Sequence, residues 1–141
     1  MDEAGVKTGG CLCGAAKYRV SGPLRPVVYC HCGQCRKTSG NFVAASSAPR
    51  DKVQIIGALR WYHSSNTAKR GFCPTCGGNL FWDGPGENIS IMAGTLDDST
   101  GLTAIGHIFV ADKAGYVDIC DGLPQADQDD PAITTMVKPE N

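Results

Sequence analysis

The chain has no surplus of charge of either sign: 13 Lys and Arg stand against 14 Asp and Glu, a formal net charge of −1. That balance leaves no electrostatic footprint for nucleic acid or an anionic membrane, so neither is expected as a partner. No apolar run approaches the roughly 20 residues a spanning helix needs. Met1 is followed by Asp2 and Glu3, with neither the basic n-region nor the apolar h-region of a signal peptide. These absences predict a soluble, cytoplasmic protein. Internal repeats and domain linkers are missing too, and 141 residues suffice for one core. We expect one domain over residues 1–125 and a polar, acidic tail over 126–141, extended or partly disordered. Long helical patterns are scarce, whereas 18 glycines and eight prolines are scattered throughout. The fold class read from this is mainly β and rich in turns.

What the chain does have is cysteine, eight in all. Seven fall into knuckles: Cys11-Leu12-Cys13, Cys30-His31-Cys32-Gly33-Gln34-Cys35 and Cys73-Pro74-Thr75-Cys76. Eight cysteines would also suit four disulfides in a secreted protein, but without an export signal, clustered cysteines at this spacing point to metal. Zinc takes four thiolates in a structural site and three where a working position stays open, with Zn–S bonds near about 2.3 Å. The seven therefore divide as four plus three, two Zn2+ per chain. Cys11, Cys13, Cys73 and Cys76 make a closed structural site, and Cys30, Cys32 and Cys35 an open one.

Along the chain, residues 1–8 read as a loosely ordered start. Ala16–Val20 and Pro26–Cys30 read as strands, the second running into the triplet. Gln34–Ser39 reads as a helical turn stopped at Gly40, and Asn41–Ser46 as a short strand. The stretches 53–56 and 59–63 suggest a hairpin around Gly57-Ala58. Residues 69–73 and 79–82 flank a rubredoxin-like knuckle. Further strands are expected at 88–93, 107–111 and 116–119, with a loop at 96–106.

In an extended chain, residues i and i+2 share a face, so Cys30 and Cys32 point one way and His31 the other. His31 then reads as a hydrogen-bonding neighbour rather than a ligand, and as a candidate for proton transfer. Three thiolates leave a tetrahedral ion one vacancy for water or substrate, and −3 against +2 makes that site labile. Arg36 and Lys37, directly after the triplet, form a cationic rim for a substrate carboxylate or are simply solvated. His63 and His107 read as structural histidines. Cys120 is left over, either a buried free thiol or a fourth ligand for the triplet.

The runs Gly9-Gly10-Cys11-Leu12-Cys13-Gly14-Ala15, Cys30–Gly40, Phe72–Gly77 and Asp121-Gly122-Leu123-Pro124 resemble the glutathione-dependent formaldehyde-activating family, which includes centromere protein V-like members. The resemblance covers roughly residues 5–125. It implies an Mss4-like fold of several small antiparallel sheets built around zinc knuckles. It also implies a structural zinc on the residues matching Cys11, Cys13, Cys73 and Cys76, and a second on those matching Cys30, Cys32 and Cys35. The activity it implies joins glutathione to formaldehyde as S-hydroxymethylglutathione, a carbon–sulfur lyase reaction.

Two functions follow. In one, a small-molecule thiol such as glutathione reacts with formaldehyde or a related aldehyde at the triplet, with Arg36 and Lys37 on its carboxylates and Phe42, Tyr62 or Trp82 walling the pocket. In the other, the chain is a non-catalytic, zinc-stabilised binding module. A thiol redox role has less support, because no C-x-x-C lies in a βαβ context.

Overall fold

In the computed structural model, which describes residues 5–135, ten strands follow the glycine and proline punctuation of the sequence. They are Val6–Gly10 (β1), Ala16–Ser21 (β2), Val27–Cys30 (β3), Val43–Pro49 (β4), Val53–Gly57 (β5), Arg60–His63 (β6), Lys69–Phe72 (β7), Asn79–Asp83 (β8), Asn88–Met92 (β9) and Ala104–Ile108 (β10). Two short helices, Gly33–Ser39 (α1) and Pro131–Thr134 (α2), complete the set with three 3₁₀ turns. The protein is mainly β, as its composition suggests. No helix is long and apolar enough to cross a membrane.

The strands form two sheets. β1-β2-β5 is a small antiparallel sheet, and β10-β3-β4-β9-β8-β7-β6 is a larger one. All pairs are antiparallel except β10 on β3, which run parallel. The period-2 pattern of β2 explains how the sheets meet. Ala16, Tyr18 and Val20 are buried while Lys17, Arg19 and Ser21 are exposed. That apolar face packs on Ala48, Leu80, Phe81, Ile89 and Ile91 of the large sheet. Tyr18 meets Phe81 edge-on at 5.2 Å between centroids, a favoured aromatic geometry.

Four elements differ from the sequence reading. β1 lies in the stretch read as a loose start; its Gly9 sits under the Tyr18 ring, where a Cβ would come within 2.3 Å. The hairpin around Gly57 does not form: β5 pairs with β2 and β6 with β7. Gly57, at φ +91°, packs so tightly on Ala15 that a Cβ would lie 2.1 Å from its carbonyl oxygen, and the chain leaves that turn for the other sheet. β10 begins three residues earlier than expected and stops where Phe109 enters the left-handed region at φ 56°. Residues 116–119 form no strand, because the free edge of β10 is taken by residues 124–126: His107 donates its N–H to the Pro124 carbonyl and Ala126 to that of His107.

The stretch read as a polar tail is held in place as far as it is described. Ile133 of α2 is buried against Val28 and Ile108. Arg25, itself buried, donates Nη1 to the Thr134 carbonyl at 3.0 Å and Nη2 to that of Ala45 at 2.7 Å. Asp127 and Asp129 stay exposed, Asp130 caps α2 by accepting from the Ala132 N–H, and Ala126 packs with Ile133. Residues 1–4 and 136–141 lie outside the described part.

Gly9→Ala is expected to be destabilising by about 1–3 kcal/mol, the range for overpacking a filled core. Gly94→Ala, whose added methyl meets nothing within 4 Å, should be neutral. Paired denaturant titrations measure the difference. Burial pushes the Tyr18 hydroxyl up to about 12. Its stabilising contribution is therefore complete below the ordinary tyrosine value near about 10 and disappears as pH rises through about 12. Alkaline unfolding of Tyr18→Phe should lack that component.

Candidate metal centres

Seven of the eight cysteines come together as two groups, Cys11/Cys13/Cys73/Cys76 and Cys30/Cys32/Cys35, with the sulfurs of each group all within 4.8 Å of one another. All eight cysteines are free thiols. In the first group Cys11 and Cys13 stand between β1 and β2, Cys73 and Cys76 between β7 and β8. The two turns come from different sheets and 60 residues apart, and Cys13 Sγ lies 3.6 Å from Cys73 Sγ and Cys11 Sγ 3.7 Å from Cys13 Sγ. A tetrahedron with four bonds near 2.3 Å has edges of about 3.8 Å, so the spacing suits one ion.

Backbone donors already serve these sulfurs. The Ala16 N–H points at Cys11 Sγ (3.3 Å), and those of Thr75 and Cys76 at Cys73 Sγ (3.4 and 3.5 Å). The Ala16 N–H is the main reason the Cys11 thiol falls to about 6. Donors aimed at sulfur favour thiolate, the form a metal binds. Glycine serves the packing: Gly78 lies so close to Cys11 and Cys76 that a Cβ would stand 3.3–3.4 Å from their side-chain atoms.

The triplet is built by β3 and α1. Cys30 ends β3, Cys32 caps the helix by accepting from the Cys35 N–H at 3.3 Å, and Cys35 is one turn in, buried. Gly40, at φ 80°, ends the helix as expected. The sulfurs of Cys30 and Cys35 hold the Cys32 thiol well below the ordinary range. The Cys32 sulfur, with burial, pushes Cys30 upward. The three sulfurs thus oppose one another's ionisation, and a bound cation would relieve that opposition. Val43, Met92 and the half-buried Trp82 pack against it.

Cys120 is exposed and outside the triplet; neither the buried-thiol nor the fourth-ligand reading fits it. His31 belongs to neither sulfur group. It is 1% exposed, stacks near Phe42 at 4.7 Å and shares a hydrogen bond of 2.9 Å between its Nε2 and His107 Nδ1. His107 Nε2 in turn lies 2.7 Å from Asp121 Oδ2. Burial lowers the His31 imidazole below its usual value, while the Leu123 N–H and then His107 lower the Asp121 carboxyl. The chain Asp121–His107–His31 was not legible in the sequence, because it joins residues 14 and 76 positions apart. His63 is exposed at the end of β6. Tyr62 is exposed as well.

Arg36 is half-buried and Lys37 exposed on the last turn of α1. A different cation reaches the triplet. Arg70 of β7 is buried, with Nη2 3.7 Å from Cys35 Sγ and 3.3 Å from Gln34 Oε1. Its only sequence signal was a charge within a strand-like stretch.

Metal analysis of purified variants should separate the groups. Cys13→Ser or Cys73→Ser is expected to lose one ion and the folded state together, since metal binding at a site shared by distant segments is coupled to folding. Cys32→Ala or Cys35→Ala should lose the other ion and keep a cooperative melting curve.

The sequence pattern of the family described as "Glutathione-dependent formaldehyde-activating enzyme" matches residues 6–112. No curated protein sequence is significantly similar to the chain. Among solved structures, the chain is similar to the crystal structure of a Rhodobacter sphaeroides protein, at 27% identity and a TM-score of 0.55, over 69% of this chain and 97% of that one. With more than half of its length matched, the chain belongs to the glutathione-dependent formaldehyde-activating enzyme family.

Proposed function

We propose that the chain is a zinc-dependent enzyme of the carbon–sulfur lyase type that makes or breaks the adduct of glutathione with formaldehyde, S-hydroxymethylglutathione. The observation that carries this reading is the triplet: three sulfurs gathered at one point with no fourth protein ligand among the described residues. Thiolate-rich, four-coordinate sites suit zinc. In this reading Cys11, Cys13, Cys73 and Cys76 hold a structural zinc, and Cys30, Cys32 and Cys35 hold a second. That second ion, when bound, supplies the Lewis acidity that makes a thiol nucleophilic at neutral pH.

The chemistry balances without a redox partner. The glutathione sulfur forms a bond to the formaldehyde carbon, the carbonyl π pair moves to oxygen, and the proton lost by the thiol ends on that oxygen. The reverse sequence releases the aldehyde. His31 is the residue for holding a proton. Burial lowers its imidazole below the usual value, its Nδ1 has no hydrogen-bond partner among the described residues, and its Nε2 continues through His107 to the exposed Asp121. Arg36 and Lys37, which engage no partner among the described residues, receive glutathione carboxylates. Trp82, packed against the triplet, excludes water on one side.

Cobalt placed in the triplet tests this. Its sulfur-to-metal absorption should change on adding glutathione and stay fixed with S-methylglutathione, which has no ionisable thiol. Apparent affinity should rise with pH until the free thiol ionises, because binding releases a proton. Arg36→Ala and Lys37→Ala should each weaken binding a few-fold, less at high salt, since exposed charges are screened within about 8–10 Å. Cobalt protein indifferent to millimolar glutathione would favour the alternative, a non-catalytic zinc-stabilised binding module.

A further inference from the structure

Arg70 is buried, 5% exposed, and pairs with no carboxylate among the described residues. Its Nη2 touches Cys35 Sγ (3.7 Å) and Gln34 Oε1 (3.3 Å), while Nε and Nη1 have no hydrogen-bond partner among the described residues. A guanidinium removed from water without a counter-charge is strongly disfavoured, so a negative group must face it in the working state. Among the described residues the candidate it contacts is the triplet, where three thiolates and a divalent cation would sum to −1. Cys35 is a weak hydrogen-bond acceptor as a thiol and a charge-assisted one as a thiolate, so the contact strengthens when the site is loaded.

We propose that Arg70 is the fixed counter-cation of the Cys30/Cys32/Cys35 site, a positioning residue that acts through the Cys35 sulfur. The inference rests on the triplet being a metal site, as proposed above, and adds what sets its strength. An N–H drawn to Cys35 takes electron density from that sulfur. The ion receives less donation, so it stays a stronger Lewis acid than three unshielded thiolates would leave it, and the guanidinium cancels the excess charge that would otherwise make the site labile. Arg36 and Lys37, on the helix surface, are thereby free for substrate. Geometry fixes the arrangement: β7 places Arg70 opposite Tyr62 and Trp82 in register, and Trp82 is the side chain packed on the triplet.

The test loads the full chain with cobalt at both sites and compares wild type with Arg70→Met and Arg70→Lys. Arg70→Met should move the triplet's sulfur-to-cobalt absorption to longer wavelength, because an unshielded thiolate gives up its electron more readily. It should also let a chelator remove that ion at least about tenfold more readily, the worth of one charge-assisted hydrogen bond. The four-sulfur ion should be unaffected, which also reports that the variant is folded. Arg70→Lys, keeping the charge, should recover most of the retention. Arg70→Met with wild-type absorption and retention overturns the proposal, as does Arg70→Lys behaving like Arg70→Met. If Arg70→Met fails to fold, Gln34→Ala removes the group that steers Nη2 and should give a smaller shift in the same direction; an unchanged band there overturns it too. Wild type that takes up no second ion would instead refute the metal-site reading itself.

Discussion

Thiolates crowded within a few ångströms repel one another, and only a cation lets them share the space. The structure depends on that constraint most at Cys11, Cys13, Cys73 and Cys76. Their two turns belong to different sheets, and the sulfurs sit 3.6–3.7 Å apart where measured. Between the sheets lies a core of modest size led by Tyr18, Phe81 and Leu80. Structural zinc contributes apparent binding energies of about 10–16 kcal/mol in small peptides, comparable to the net stability of a whole domain. An ion bound as proposed would clip the small sheet to the large one with comparable strength.

The same chemistry has opposite consequences at the two centres. At the four-sulfur group, backbone N–H groups from Ala16, Thr75 and Cys76 point at the Cys11 and Cys73 sulfurs, and an ion taken by all four cysteines would be coordinatively closed. At the triplet one ligand is missing and a buried arginine stands nearby. The two groups differ in how many sulfurs the local backbone presents. A C-x-C followed by one helical turn delivers three, and Cys120, the one cysteine left, lies out of reach on the surface.

The sequence was most informative where a residue's role is local. Cysteine spacing identified both groups, and Gly40 marked the end of α1. It was least informative where the role depends on long-range packing. Nothing in Val6–Gly10 announces a strand, since its stability comes from β2 lying alongside. The hairpin around Gly57 had the right local chemistry and the wrong partners. Arg70 has ordinary sequence surroundings, and only folding brings it to Cys35 and joins His107 to His31 and Asp121. The helix carrying Ile133 was hidden by its acidic neighbours.

The parallel pairing of β10 on β3 has a consequence for a chain made from its N-terminus. β3, whose last residue is Cys30, finds β4 soon after synthesis, but its other edge stays open until residue 108 has emerged, and β10's own outer edge until residue 126. An uncovered edge strand invites pairing with other chains. The clip, by contrast, has all four sulfurs once residue 76 is made. Capture of the first ion can thus precede closure of the sheet by some 30 residues of synthesis, about 2–6 seconds at cellular elongation rates. During that interval the open edges of β3 and β10 would depend on an already clipped N-terminal part for protection.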